Sequence, residues 1–176
     1  ITPIIFSCWM KILRKSENSV LWLFLENNMG KKNLEKEAIK NGVDPKRIIF
    51  TGRIAGEDHL IRIGFIDLFL DTYPYNAHTT ASEAIRMGVP VLTIMGRSFA
   101  SRVASSLLKN VGLEELIVNN IDDYVKIALK IAGDRKKLQD LKNHLNKPDN
   151  TKKLFDSKNF TKDLEEIYKN VIESNY

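Results

Sequence analysis

Residues 68–94 read LFLDTYPYNAHTTASEAIRMGVPVLTI and contain a strand, a helix and a second strand. The apolar runs at 68–70 and 91–94 have strand length. Between them, residues 79–87 have helical spacing, and Gly88-Val89-Pro90 ends the helix. Continuous apolar runs are expected of strands in a parallel sheet that helices cover on both faces. The stretch therefore predicts an α/β fold.

The same alternation continues in both directions along the chain. Further strands are predicted at 20–25, 48–50 and 116–118, and further helices at 3–15, around 34–39, and at 58–63, 101–109, 121–132, 135–146 and 160–173. Strands separated by helices throughout predict a doubly wound, Rossmann-like parallel sheet. We assign residues 1–146 to this domain, and 147–176 to a C-terminal linker, at 147–150, and a helix that packs on the same domain.

Composition places the chain among ordinary globular domains, with 176 residues of which 43% are hydrophobic and 28% charged. No apolar run approaches the length of a membrane span, so no membrane role is expected. The chain opens with Ile1 and lacks the features of a signal peptide, which suggests a piece of a longer protein. Cys8 is the one cysteine, a small residue expected to be buried on a helix. A single cysteine suits a reducing compartment, and we expect a cytoplasmic protein.

The net charge of +5 suits an anionic ligand, and nucleic acid is one alternative. The cationic residues are densest at 135–153, where Leu138, Leu141 and Leu145 alternate with them at helical spacing. That pattern is typical of the solvated face of an amphipathic helix. No nucleic-acid-binding motif accompanies it, so a nucleic-acid partner is not expected.

The segment after the strand at 68–70 is the main candidate for a binding site. Ligands of doubly wound sheets bind beyond the carboxyl ends of the strands, and this polar loop ends at a helix start. The free N–H groups there, with the hydroxyls of Thr79 and Thr80 and the imidazole of His78, can bind phosphate. Glu83, one turn further along, can accept both vicinal hydroxyls of a ribose. These groups together describe a nucleotide site, whereas a capping box between a threonine and Glu83 explains them without a ligand.

A second, weaker candidate lies after the strand at 48–50. His59 and Arg62 share one face of the short helix there, and a base can stack on His59 while Arg62 donates a hydrogen bond. An exposed polar face is the alternative. Asp67 and Asp71 lie at opposite ends of a strand, too far apart to share a metal ion. The sequence has no Asp-x-Asp motif and no His/Cys cluster, so no metal is expected. It has no glycine-rich dinucleotide loop and no Walker loop, so NAD, FAD or another cofactor is not expected either.

Several stretches carry a family resemblance in register along almost the whole chain. They are SVLWL at 19–23, RIIF at 47–50, DTYPYNAHTT at 71–80, GVPVLT at 88–93, FASRVASSLL at 99–108, GLEELI at 112–117 and LFD at 154–156. Together they resemble the O-GlcNAc transferase family. The resemblance implies a GT-B fold, in which two Rossmann-like domains face each other across a cleft. This chain corresponds to the C-terminal half, which holds the nucleotide sugar.

The resemblance also implies roles for individual positions, all of them in substrate binding. His78, Thr79 and Thr80 correspond to the residues that hold the diphosphate and the sugar, and Glu83 replaces an aspartate that binds the ribose. The remaining implied contacts are His59 stacked on uracil with Arg62 beside it, the backbone of Ile54 and Ala55 at the base edge, and Tyr75 and Asn76 shaping the pocket. Gly56 stands where the family has a lysine near the ribose. A phosphate-binding lysine precedes the position that matches Ile1, and the catalytic residues belong to the other domain.

The implied activity is an inverting, metal-independent transfer of GlcNAc from UDP-GlcNAc to a protein Ser or Thr. UDP-GlcNAc is a co-substrate here, and the fragment alone is expected to be inactive. Sister enzymes that use GDP-fucose or UDP-glucose are alternatives within the same fold. A non-catalytic module that binds a nucleotide sugar is an alternative of another class.

Overall fold

The computed structural model describes residues 1–174. Its strands are β1 (Leu21–Phe24), β2 (Ile48–Thr51), β3 (Phe69–Leu70), β4 (Val91–Ile94) and β5 (Ile117–Val118). Its α-helices are α1 (Pro3–Lys15), α2 (Asn28–Lys40), α3 (Gly56–Gly64), α4 (Thr79–Arg86), α5 (Val103–Asn110), α6 (Ile121–Gly133), α7 (Arg135–Leu145), α8 (Pro148–Phe155) and α9 (Ser157–Ser174). Strands and helices alternate up to α6, as the sequence predicts.

Every strand pair among the described residues is parallel. β1 pairs with β2, and β4 lies between β3 and β5. The expectation of an α/β fold with parallel strands is confirmed. The hydrogen-bonded ladder is divided into these two groups, and β3 is only two residues long. Both groups contribute to one core cluster, in which Leu21 and Ile48 lie with Leu92.

Strand β4 is the centre of the molecule, because each of its residues is at most 3% exposed. Leu92 and Ile94 belong to the core cluster that contains residues of α1 and α6. Val91 belongs to a second cluster, formed with residues of α4, α5 and α7. Successive side chains of a strand point to opposite faces, so helices cover β4 on both sides. The loops that follow β3 and β4 leave the sheet at its carboxyl edge.

Helix α1 is joined to the core by apolar packing and by one buried hydrogen-bond chain. The Thr2 hydroxyl caps the helix by accepting from the Ile5 amide, and Pro3 occupies its first turn. Trp9 donates from Nε1 to the Tyr124 hydroxyl at 3.2 Å. The Tyr124 hydroxyl in turn donates to the backbone oxygen of Asp71 at 2.9 Å. The chain therefore connects α1 and α6 to the residue that follows β3.

The linker predicted at 147–150 is wrong, because α8 begins at Pro148. Proline suits the first turn of a helix, and the acidic Asp149 beside it complements the helix dipole. Leu154 of α8 packs against the second core cluster. Helix α9 begins three residues before the predicted position 160, and none of its residues is buried. No helix within residues 1–174 is long and apolar enough to cross a bilayer.

Candidate functional site

The loop at 71–78 leaves the carboxyl end of β3 and leads directly into α4. It is joined to the segment that follows β4, since the backbone N–H of Asn76 donates to the Ala100 carbonyl at 2.9 Å. The neighbouring loop at 52–55 joins the carboxyl end of β2 to α3. Helices α3 and α4 contact each other. The structure therefore gathers the sequence-predicted residues of both candidate segments at one edge.

The polar loop is held from inside by Asp71 and Asn76, both of which are fully buried. The Asp71 carboxylate accepts from the Thr72 amide at 2.8 Å, the Ala77 amide at 2.7 Å and the Thr93 hydroxyl at 2.6 Å. Burial raises the pKa of this carboxyl to about 6, against the lowering effect of those hydrogen bonds. Asn76 donates from its amide nitrogen to the carbonyl of Thr72 at 2.9 Å. It therefore shapes the loop from within and has no face open to a ligand.

The start of α4 has the form expected of an anion site. His78 is the N-cap residue, and no side chain caps the helix. Thr79 and Thr80 are both exposed at the first turn. The capping box considered as an alternative is therefore wrong, because its hydrogen bonds are not formed. The reason is geometric: the Glu83 carboxylate points toward α3 rather than back toward the helix start.

Glu83, His59 and Arg62 form a row that crosses from α4 to α3. Oε2 of Glu83 lies 3.6 Å from Nε2 of His59, and the two side chains are 28% and 32% exposed. Arg62 donates from Nη2 to Nδ1 of His59 at 2.9 Å. Because arginine has only donors, Nδ1 accepts and the ring proton of neutral His59 lies on Nε2, facing Glu83. The row is partly open to solvent, and its contacts join the polar face of α3 to α4.

Arg62 is held in place by two further contacts. It donates from Nη1 to the Gly52 carbonyl at 3.0 Å, and its guanidinium lies 5.9 Å from the centre of the Trp22 ring. Ile54 and Ala55 are exposed in the short segment just before α3. Gly56 has open space where a side chain would begin.

Three aromatic rings lie together beside the start of α4. The Tyr75 ring stacks on His78 with 5.0 Å between centroids, and the Phe99 ring meets His78 edge-on at 6.0 Å. Tyr75 is 65% exposed and Phe99 is 81% exposed, so both rings are free to contact a ligand. Nε2 of His78 is buried and has no hydrogen-bond partner among the described residues. It is therefore a buried polar atom at the start of α4 whose hydrogen-bonding capacity is not used by the described residues.

The two aspartates that flank β3 are separated in environment as well as position. Asp67 is exposed and accepts from Lys142 at 3.2 Å, whereas Asp71 is buried under the loop. Within residues 1–174, no three His, Cys, Asp or Glu side chains are grouped so that they could hold a metal ion.

Sequence reasoning missed three residues of this region. Thr93 was recoverable, because it is the one polar residue in the otherwise apolar strand β4. Phe99 was noted only as part of a motif, and its exposure gives the only local signal of a role. Trp22 gave no signal, since its contact with Arg62 depends on how β1 lies beside α3.

The family model described as glycosyl transferase family 41 matches residues 1–164. The chain belongs to glycosyl transferase family 41. A UDP-N-acetylglucosamine–peptide N-acetylglucosaminyltransferase of Caenorhabditis elegans is 34% identical over 95% of this chain and 14% of its own length. A probable enzyme of the same name from Arabidopsis thaliana, SEC, is 36% identical over 94% of this chain and 17% of its own length.

A solved structure confirms the fold expected of this family-41 chain. The structure of an O-GlcNAc transferase mutant from Thermobaculum terrenum matches 96% of the chain with a TM-score of 0.89 and 34% identity. The matched region is 33% of that solved chain. The family-41 chain is thus a domain of a glycosyltransferase family with the α/β fold of a GT-B half. It spans a small part of the length of these relatives.

Proposed function

We propose that this family-41 chain binds the nucleotide-sugar donor UDP-GlcNAc for a protein O-GlcNAc transferase. The observation that carries the proposal is the uncapped start of α4 with the row of Glu83, His59 and Arg62 beside it. A helix start suits a diphosphate, and a carboxylate followed by an imidazole suits a ribose followed by a base. This order along one edge matches the order of groups in UDP.

The diphosphate is assigned to α4. Its first-turn N–H groups and the exposed hydroxyls of Thr79 and Thr80 supply donors, and the positive end of the helix dipole favours the negative charge. Nε2 of His78, which is buried and has no partner in the described residues, becomes a further donor when the ring turns toward the ligand. Charge grows on the diphosphate as the sugar leaves, so donors that are already in place stabilise the transition state without a metal ion.

The nucleoside is assigned to the row on α3 and α4. Glu83 accepts from the ribose hydroxyls, and His59 stacks on uracil with Arg62 beside it. The backbone of Ile54 and Ala55 reads the base edge, as the family resemblance implies. Tyr75 lines the pocket from the loop, while Asn76 acts through the shape of the loop.

The full reaction is assigned to the whole parent protein. A Ser or Thr hydroxyl of an acceptor protein attacks the anomeric carbon, the bond from that carbon to the UDP oxygen breaks, and the configuration inverts. The residues that activate the hydroxyl lie outside this chain. The single cysteine, Cys8, supports a cytoplasmic location.

Binding of UDP to variants of α4 tests the proposal. Thr80→Ala removes a phosphate donor and Glu83→Ala removes the ribose acceptor, so each should weaken binding by about tenfold. Thr80→Ser and Glu83→Asp are the matched controls, because they keep the hydroxyl and the carboxylate. Calorimetry measures affinity, and circular dichroism checks the fold. Unchanged UDP affinity in both alanine variants would contradict the site.

Gly56 favours one second candidate, a module that binds a nucleotide sugar without turnover. The family lysine near the ribose is replaced there, and the structure leaves that space open. Turnover of UDP-GlcNAc by the parent protein separates the two functions, since a sensor releases its ligand unchanged. A panel of UDP, GDP and their sugars tests the donor, including UDP-glucose and GDP-fucose.

A further inference from the structure

The Asp71 carboxylate lies beneath the proposed diphosphate site and is fully buried. It follows directly after β3, and its oxygens accept from Thr72, Ala77 and Thr93. A buried carboxylate costs folding free energy unless it is well paired, and burial raises the pKa of this one. Its position at the base of the loop therefore requires an explanation beyond core packing.

Oxygen Oδ1 of Asp71 closes the loop. It accepts from the Thr72 amide at 2.8 Å and from the Ala77 amide at 2.7 Å, so it holds both ends of the segment together. Ala77 immediately precedes His78, the N-cap residue of α4. The position of the Ala77 amide therefore sets where α4 starts and where its first N–H groups point.

Asp71 is held by residues of three regular elements, through its carboxylate and through its backbone oxygen. Thr93 on β4 donates to Oδ2 at 2.6 Å, which sets the plane of the carboxylate. Tyr124 on α6 donates to the backbone oxygen of Asp71 at 2.9 Å, and Trp9 on α1 donates to Tyr124. A loop anchored on such elements holds its ligand groups more accurately than a loop held only by its own backbone.

We propose that Asp71 is a positioning residue that places the diphosphate-binding start of α4 without touching the ligand. The proposal rests on the proposed function. Asp71 acts through Oδ1, which is an acceptor in aspartate and also in asparagine. The nucleoside contacts are carried mainly by α3 and by Glu83, which lies in the second turn of α4. Loss of Oδ1 should therefore affect the diphosphate more than the nucleoside.

Comparison of UDP with uridine tests this role, because only UDP uses the start of α4. Asp71→Ala should lower UDP affinity by about tenfold and leave uridine affinity within about twofold, as measured by NMR titration. Asp71→Asn should restore UDP affinity to within about twofold of wild type, since its oxygen still accepts from both backbone amides. Its amide nitrogen can donate to the Thr93 hydroxyl, which fixes its orientation.

Thr93 provides a second pair of variants, which tests the positioning role of Asp71 if Asp71→Ala does not fold. Thr93→Val removes the donor to Oδ2 at nearly constant volume and should lower UDP affinity by about threefold. Thr93→Ser keeps the donor and should bind UDP like wild type. Circular dichroism shows whether each variant is folded.

Three outcomes would overturn the proposal although wild type binds UDP. The first is that folded Asp71→Ala binds UDP as tightly as wild type. The second is that this variant loses UDP affinity and uridine affinity to the same extent. The third is that Asp71→Asn binds UDP as weakly as Asp71→Ala. If Asp71→Ala is unfolded, equal UDP affinity in Thr93→Val and Thr93→Ser overturns it. Failure of wild type to bind UDP would instead refute the proposed function.

Discussion

Replacing Asp71 with asparagine should remove a pH-dependent part of the stability of this domain. Burial raises the pKa of the Asp71 carboxyl from its ordinary value of 3.8 to about 6. Between these values the folded chain holds a proton that the unfolded chain has released, so the free energy of unfolding falls as pH rises. The contribution is complete below 3.8 and lost above about 6. At about 1.4 kcal/mol for each pH unit, the full difference is about 3 kcal/mol.

Asp71→Asn has no titrating group at this position and keeps an acceptor for the Thr72 and Ala77 amides. The unfolding free energy of the variant, minus that of wild type, should therefore rise by about 2 kcal/mol between about pH 4 and about pH 7, since part of the titration lies below pH 4. Urea denaturation followed by tryptophan fluorescence measures both proteins at each pH. The subtraction removes the titration of all other carboxyls. A difference that stays flat or falls across this window would refute the reasoning.

Three further predictions concern the core, the metal and the isolated domain. Tyr124→Phe removes the donor to the Asp71 carbonyl and the acceptor for Trp9, so it should lower the free energy of unfolding by roughly 1–3 kcal/mol. The control Tyr168→Phe, on the exposed helix α9, should change that free energy by less than about 0.5 kcal/mol. Equal urea midpoints for the two variants would contradict the buried role of Tyr124. UDP binding, and turnover by the parent protein, should survive EDTA; activity lost in EDTA and regained with Mn²⁺ would reveal a metal site. The isolated chain should bind UDP weakly, with an affinity that falls as salt is added, and it should not glycosylate peptide. UDP should bind more tightly once the rest of the GT-B fold is present. Transfer by the isolated chain would show that catalysis needs no second domain.

Periodicity in the sequence was sufficient for most of the secondary structure. Strand β4 lies at Val91–Ile94 and helix α1 at Pro3–Lys15, both at the predicted bounds. These elements have strong local signals, a continuous apolar run in one case and a capped amphipathic pattern in the other. Helix α8 was missed because Pro148 with Asp149 and Asn150 has the composition of a loop. Its contacts with α5 and α7 come from tertiary packing, which local composition does not report.

Local residue patterns gave the candidate site only as two separate segments, and the family resemblance was needed to join them. Thr79, Thr80 and Glu83 follow one strand, and His59 and Arg62 follow another, and each set had an ordinary structural alternative. On α4, the direction in which Glu83 points decided between a capping box and a helix start open to a ligand. The structure places Glu83 beside His59, 24 positions earlier in the chain, and leaves the helix start uncapped.

The sequence by itself determined the α/β class, the family resemblance and the residues at the loop and helix start, since these depend on local pattern and on motif order. Only the tertiary structure decided what supports them. The buried chain from Trp9 through Tyr124 to Asp71 joins residues that lie 115 and 53 positions apart. Contacts of that kind form when the helices pack on the sheet, and burial is what gives them their energy and gives the Asp71 carboxyl its altered pKa.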